Sequence, residues 1–362
     1  MPANATTRRI LRLARSAAAA RDAGDPDVAV RDWLRCIELD DGSDAGLRGD
    51  PDLPPFRLRP YLSYADHLRR RGDPAGAVKV LDYALACWPW DADVHALLGL
   101  CYRELHDWER AAPALQRSVE LRQSADICVL LAHTLERLDR RDEAHRWLVH
   151  AVAVDPGHEE SHYNLGCVYE RAGDVDAAID AFGRATALDP AYAIAHARLG
   201  ALVFHRALHR VPQARDHADF TLAFDHLSRA TALDPADGWS HARLATLCEV
   251  QGRLDDAVAH HRAATLALPD VPAVWSNHGN LLSQRGADDA EAERLLRLAV
   301  ALAPDDERAR YWLGKHLWYV GDDAGARAEL QHADRLGHPG ALAWLSQRDS
   351  EPAGDDDDGV PR

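Results

Sequence analysis

The feature that most constrains this chain is a pattern of small and large residues that returns every 34 positions. One copy is marked by His162, Leu165, Gly166, Tyr169, Gly173, Ala178, Phe182, Ala185 and Pro190. Earlier copies carry Gly72, Ala77, Leu81, Ala84 and Pro89, then Leu98, Gly99, Tyr102, Ala111 and Leu115, then Leu131, Ala132, Ala144, Leu148, Ala151 and Pro156. Later ones carry Leu199, Gly200, Ala230 and Pro235, then Leu244, Gly252, Ala257, Ala264 and Pro269. Trp275, Gly279, Gly286, Ala299 and Pro304 follow, and Leu313, Gly314, Gly321, Ala326, Leu330 and Ala333 close the series. Within each copy apolar residues recur at i, i+3, i+4 and i+7, the period of an amphipathic helix. Gly173-Asp174 breaks the first helix of its copy and Asp189-Pro190 ends the second. A helical hairpin of this size cannot bury both of its faces, so neighbours must stack and share an elongated core.

These residues match the tetratricopeptide repeat (TPR) pattern of small and large positions, and the chain resembles that family over more than nine-tenths of its length. The resemblance implies an all-α, right-handed α-solenoid of about nine helix-turn-helix repeats with a C-terminal capping helix. Residues 1–43 read as a degenerate first unit, marked by Gly24, Ala29, Trp33 and Cys36, and 44–57 as a Pro-rich linker with Pro51, Pro54 and Pro55. The solenoid proper is expected over 58–340 in eight units, the capping helix over 341–348, and a disordered acidic tail over 349–362. The copy at 193–237 carries about 11 extra residues, about three helical turns, so its helices can lengthen without rotating their faces. Val211-Pro212 is expected to separate them, in a protrusion rich in cations and histidines.

Composition narrows the function classes. Lys+Arg 42 against Asp+Glu 58 gives a formal charge of −16, which disfavours phosphate-backbone binding. No apolar run approaches the ~18 residues of a membrane helix. The expected partners are therefore a protein or peptide, with no nucleic acid and no membrane. Six cysteines stand singly in helical patterns and read as buried thiols of a reducing cytoplasm. Only two lysines occur, Lys79 and Lys315, a bias that points to a GC-rich bacterial gene.

The sharpest catalytic motif is H-E-x-x-H at His158, Glu159, Glu160, Ser161 and His162. It begins two residues after Pro156, where a repeat boundary belongs, and His162 fills a repeat position also held by His95, His196 and His241. The repeat therefore accounts for His162 without zinc. His205 and His209 are i,i+4 and could form half a metal site with Asp216, His217 or Asp219. Exposed histidines of an insertion account for them equally. The neighbours His260 and His261 point to different faces and suggest no site. No nucleophile elbow, phosphate loop or dinucleotide fingerprint is present. No enzyme activity, catalytic residue, metal or cofactor is expected.

What remains is the groove. In TPR proteins the first helix of each pair lines the concave surface at repeat positions 2, 5, 6, 9, 12 and 13. Carried over, the resemblance places Asn164, Arg198, Trp239, Arg243, Asn277, Asn280, Tyr311, Lys315 and Trp318 there as peptide-binding residues. Amides, cations and rings suit an acidic or amide-rich segment, although Trp318 could equally pack on the capping helix. Neither Asn164/Arg198 nor Asn277/Arg308 completes the carboxylate clamp of chaperone-tail binders. The expectation is a non-catalytic scaffold or adaptor. A self-assembling homo-oligomer, its first copy docked in a neighbour's groove, and a metal-dependent enzyme are the alternatives.

Overall fold

The structure, a computed structural model, describes residues 26–40, 58–210 and 218–350 apart from Ala287, with scattered positions between 9 and 23. The expected linker at 44–57, the Val211-Pro212 break and the tail beyond 350 lie outside the described residues. Described residues form helices and turns with no strand among them, an all-α array of helical hairpins. The chain divides into two compact units, Met1–Leu188 and Asp189–Arg362.

In the first unit, helical positions between 9 and 20 precede α1 (Pro26–Asp40), and four hairpins follow. These are α2 (Leu58–Arg70) with α3 (Pro74–Cys87), α4 (Ala92–Glu104) with α5 (Trp108–Leu121), α6 (Ala125–Arg137) with α7 (Arg141–Val154), and α8 (Glu159–Ala172) with α9 (Val175–Leu188). Local chemistry sets these boundaries. Asp73 accepts from the Gly76 amide at 2.8 Å to start α3, and Asp107 caps α5 through Arg110. Gly173 ends α8 in the left-handed conformation at φ 79°, where a side chain would be strained. Two copies lack that glycine, and His106 and Asp139 take the same turn at φ 59° and 58°.

The core fills from repeat positions. Gly99 lies so close to α5 that a Cβ would sit 2.6 Å from Leu115, and at Gly166 it would sit 2.7 Å from the Phe182 ring. Small residues on each first helix thus admit large ones from the second. Leu81, Leu115, Leu148 and Phe182 occupy equivalent slots and are fully buried or nearly so. The first copy is not held apart: Trp33 packs with Ala17, Ala29 and Tyr64, and its ring lies 5.9 Å from His67 on α2.

The second unit contains α10 (Ala193–Arg210) with α11 (Ala218–Leu233), α12 (Gly238–Val250) with α13 (Leu254–Ala267), α14 (Pro272–Arg285) with α15 (Asp289–Leu302), and α16 (Glu307–Tyr319) with α17 (Asp323–Arg335). A closing helix, α18 (Ala341–Ser350), packs Ala341 and Leu345 on Leu330 and Ala333. The insertion lengthens both helices of its hairpin, to 18 and 16 residues. Arg206 clasps Asp219 across that hairpin through two hydrogen bonds of 3.0 and 2.9 Å, so this cation and this acid serve each other. Arg206→Ala is expected to destabilise the unit by about 1–3 kcal/mol in urea melts, because two charge-assisted hydrogen bonds across a half-buried contact are lost.

All six cysteines are free thiols, five of them buried. Burial pushes Cys101 up to about 12 and Cys128 up to about 11, which removes thiolate character near neutral pH. No described helix is long and apolar enough to cross a membrane.

Candidate functional site

The first helix of each hairpin turns a row of side chains inward, and in the first unit this row opens into a cleft of about 620 Å³. Leu62, Ser63, Asp66, His67 and Arg70 come from α2, Asp93, Ala96, Leu97 and Leu100 from α4, and Trp33 from α1. Apolar side chains form its floor and charges its rim. The rim is preorganised: Asp66 receives Arg69 at 2.8 Å and Arg70 at 2.8 Å, while Arg122 pairs with Asp93. Arg69 also reaches Glu104 on the next copy, and these acids raise its pKa against the lowering effect of burial. The sequence reading placed the groove from Asn164 onward and passed over this cleft. Carrying the same repeat positions onto the copies at 58 and 92 would have found it.

Further along the first unit the inward row bonds to itself. Arg103 donates to the Leu130 carbonyl, and Asn164 meets His133 at 2.8 Å while donating to the Glu160 carbonyl at 2.8 Å. Asn164, expected to pair with a peptide backbone, is only 8% exposed and has both ends of its amide engaged.

In the second unit Arg198 and Trp239 are exposed, the latter by 51%, and Arg243, Asn277 and Asn280 are half-buried. Gln284 donates to Asn280 at 3.1 Å. Tyr311, Trp312 and Trp344 surround the Lys315 ammonium, with ring centres 5.6, 5.1 and 5.9 Å away. Tyr311 also stacks on His338, and Trp318 meets Trp344 of α18 edge to face at 5.7 Å. Trp318 is thus part of the packing of the closing helix.

The H-E-x-x-H residues do not converge. His162 is buried and its Nε2 bonds the Pro156 carbonyl at 3.0 Å. His95, Trp275 and Arg310 bond the carbonyls of Pro89, Pro269 and Pro304 from the same repeat position. His158 turns instead to Asp126, and the donor atoms of Asp126, His158 and Glu160 lie within 4.8 Å of one another. Of the proposed insertion ligands, Asp219 is held by Arg206, and the region 211–217 lies outside the described residues.

The second unit also holds a set of buried and half-buried histidines that the sequence reading did not single out. His196 and His226 meet at 2.9 Å, and His241 and His260 at 3.1 Å. His261 bonds Glu249 at 2.6 Å and stacks on His278, and His316 bonds Ser283 at 2.9 Å. The signal was positional: His261 and His278 fill slots that other copies give to leucine or phenylalanine.

Stacked helical hairpins with an inward row of mixed side chains define the class of α-hairpin repeat proteins. Tetratricopeptide-repeat models match residues 64–126 and 159–192. Cytochrome c-type biogenesis protein CycH of Rhizobium meliloti (strain 1021) is 36% identical over 97 residues, 26% of this chain and 25% of that protein. The match therefore spans about a quarter of the relative's length. The C-terminal part of a TPR repeat-containing protein from Cytophaga hutchinsonii superposes with a TM-score of 0.54 at 14% identity, over 70% of this chain and 99% of its own. YrrB, a TPR protein with an unusual peptide-binding site, gives a TM-score of 0.46 at 22% identity, over 55% of this chain and 97% of its own. The matched segments are tetratricopeptide repeats, whose fold is that of a protein-interaction scaffold and is typically non-catalytic.

Proposed function

We propose that the protein is a cytoplasmic adaptor that holds an extended segment of a partner protein along the inward faces of its first helices. The cleft between α1, α2 and α4 carries this reading. Leu62, Leu97, Leu100 and Trp33 offer apolar surface for side chains of the segment, and the paired charges of the rim orient its backbone. Arg198, Trp239, Arg243, Asn277, Asn280, Tyr311 and Lys315 are proposed as a second contact row in the 189–362 unit, suited to acidic or amide-rich stretches.

Full-length tagged protein used as bait in its native host tests this. The Leu97→Glu/Leu100→Glu variant is expected to lose at least tenfold in partner recovery with unchanged helicity, because each glutamate would place a charge on the apolar floor. Arg198→Glu/Arg243→Glu, run beside it, reports on the second row. Full recovery by both variants would show that the inward faces are not the binding surface.

A further inference from the structure

We propose that Asp126, His158 and Glu160 form a binding site for one divalent first-row transition ion, of zinc type, clamped between two consecutive repeats of the first unit. The site is made by repeat register and not by the H-E-x-x-H motif that contains part of it. Asp126 stands in the first turn of α6, His158 immediately precedes α8, and Glu160 lies in the first turn of α8. Stacking the two first helices brings these residues together, although 32 positions separate Asp126 from His158.

The histidine is held in a ligand's posture. Its side chain is only 15% exposed, and its Nδ1 lies 2.7 Å from the hydroxyl of Ser161, a fully buried residue. An Nδ1–H donated to that hydroxyl leaves the Nε2 lone pair facing the Asp126 carboxylate at 3.1 Å. In the other tautomer Nε2–H donates to that carboxylate while Nδ1 accepts from the hydroxyl, so a metal ion on Nε2 would take the place of a proton. A buried hydrogen-bond partner on the other ring nitrogen is how metal-binding histidines are oriented. Donors bound to zinc at about 2.0–2.1 Å in tetrahedral geometry lie about 3.3 Å apart, so the His158–Asp126 pair needs to open by only a few tenths of an ångström. Glu160 is exposed and can supply the third donor by a rotamer change.

The donor set selects the ion. One imidazole and two carboxylates suit first-row divalent metals, and the two negative charges balance the ion's two positive ones. Three protein ligands leave room for water, so the ion is exchangeable. Because Asp126 belongs to one copy and Glu160 to the next, a bound ion cross-links α6 to α8 close to the His133–Asn164 contact. The role inferred is stiffening of the inward row, with no reaction attached.

The test uses the full chain, stripped with chelator and titrated with zinc alone by calorimetry, followed by thermal melts with and without zinc. Twenty histidines give background uptake, so the comparison with variants is decisive. Wild type is expected to bind one more equivalent than Asp126→Asn or His158→Gln, or to bind its tightest equivalent at least tenfold more strongly. Zinc should raise the melting temperature of wild type and not of the variants. The Asp126 side chain is 75% exposed, so Asp126→Asn preserves the fold and keeps the comparison interpretable. Equal stoichiometry and affinity in wild type and Asp126→Asn, or no uptake by wild type, would overturn the proposal.

Discussion

Lowering the pH from 7 to about 4.5 is expected to destabilise the 189–362 unit strongly, through histidines that the fold keeps neutral. Burial lowers the pKa of His226 and His260, with a further push from His196 and His241 respectively, and only partial opposition from Asp225 and Asp256. Burial also lowers His196 and His316, against a hydrogen bond from the Pro190 backbone in the first case and the charges of Asp289 and Glu293 in the second. His278 is taken down to about 4 by burial, with His261 adding to it, Glu291 opposing, and Arg262 and Arg294 reinforcing. The unfolded chain binds these protons near pH 6.5 and the folded chain does not. For His278 stability is therefore lost as pH falls from about 6.5 to about 4, by roughly 1.4 kcal/mol per pH unit, and the other four histidines add losses of the same sign below about 6.5. Hydrogen exchange by mass spectrometry from pH 7 to 4.5, corrected for intrinsic rates, should show protection lost across α10 to α17. His278→Leu restores the residue other copies carry in that slot, and should both raise stability and flatten the pH slope. An unchanged slope in that variant would remove His278 from the account.

The second large effect is a pair of substitutions at one contact. Phe182→Ala should destabilise the first unit by about 3–5 kcal/mol, since the ring is fully buried and leaves a cavity behind. Gly166→Val should destabilise it by about 1–3 kcal/mol for the opposite reason, because its Cβ would lie 2.7 Å from that ring. Combined, the two should fall short of their sum: the valine methyls occupy space the ring has vacated. Urea melts of the four proteins give the coupling directly, and 0.5–3 kcal/mol is the usual range for residues in contact. Simple additivity would mean that the two residues do not share the contact described.

The repeat made most of the fold legible. Gly173-Asp174 was readable as a break, and in the structure Gly173 turns left-handed while Asp174 accepts from the Ala177 amide to start α9. Periodicity fixes which residues of one copy face inward. It is silent on what each meets in the next copy, because that depends on the rotation between copies. Asn164 illustrates the gap: it reads as a groove amide, yet His133 of the preceding copy occupies its oxygen. The cleft around Leu97 escaped for another reason, since apolar inward residues look like core until the neighbouring helix is seen to leave space beside them. The pair His260-His261 seemed uninformative as a dipeptide, and became meaningful only when each was set against the residue that fills its slot elsewhere.

The buried free thiols make this molecule a self-reporting instrument. Cys36, Cys87, Cys101, Cys128, Cys167 and Cys248 fall in six different hairpins or flanking helices, and five of them are shielded by the packing around them. A thiol reagent can reach a shielded sulfur only when its own neighbourhood opens, so labelling rates become local clocks. Read in sequence order, those clocks would chart which hairpins breathe and which stay closed, without a single engineered probe.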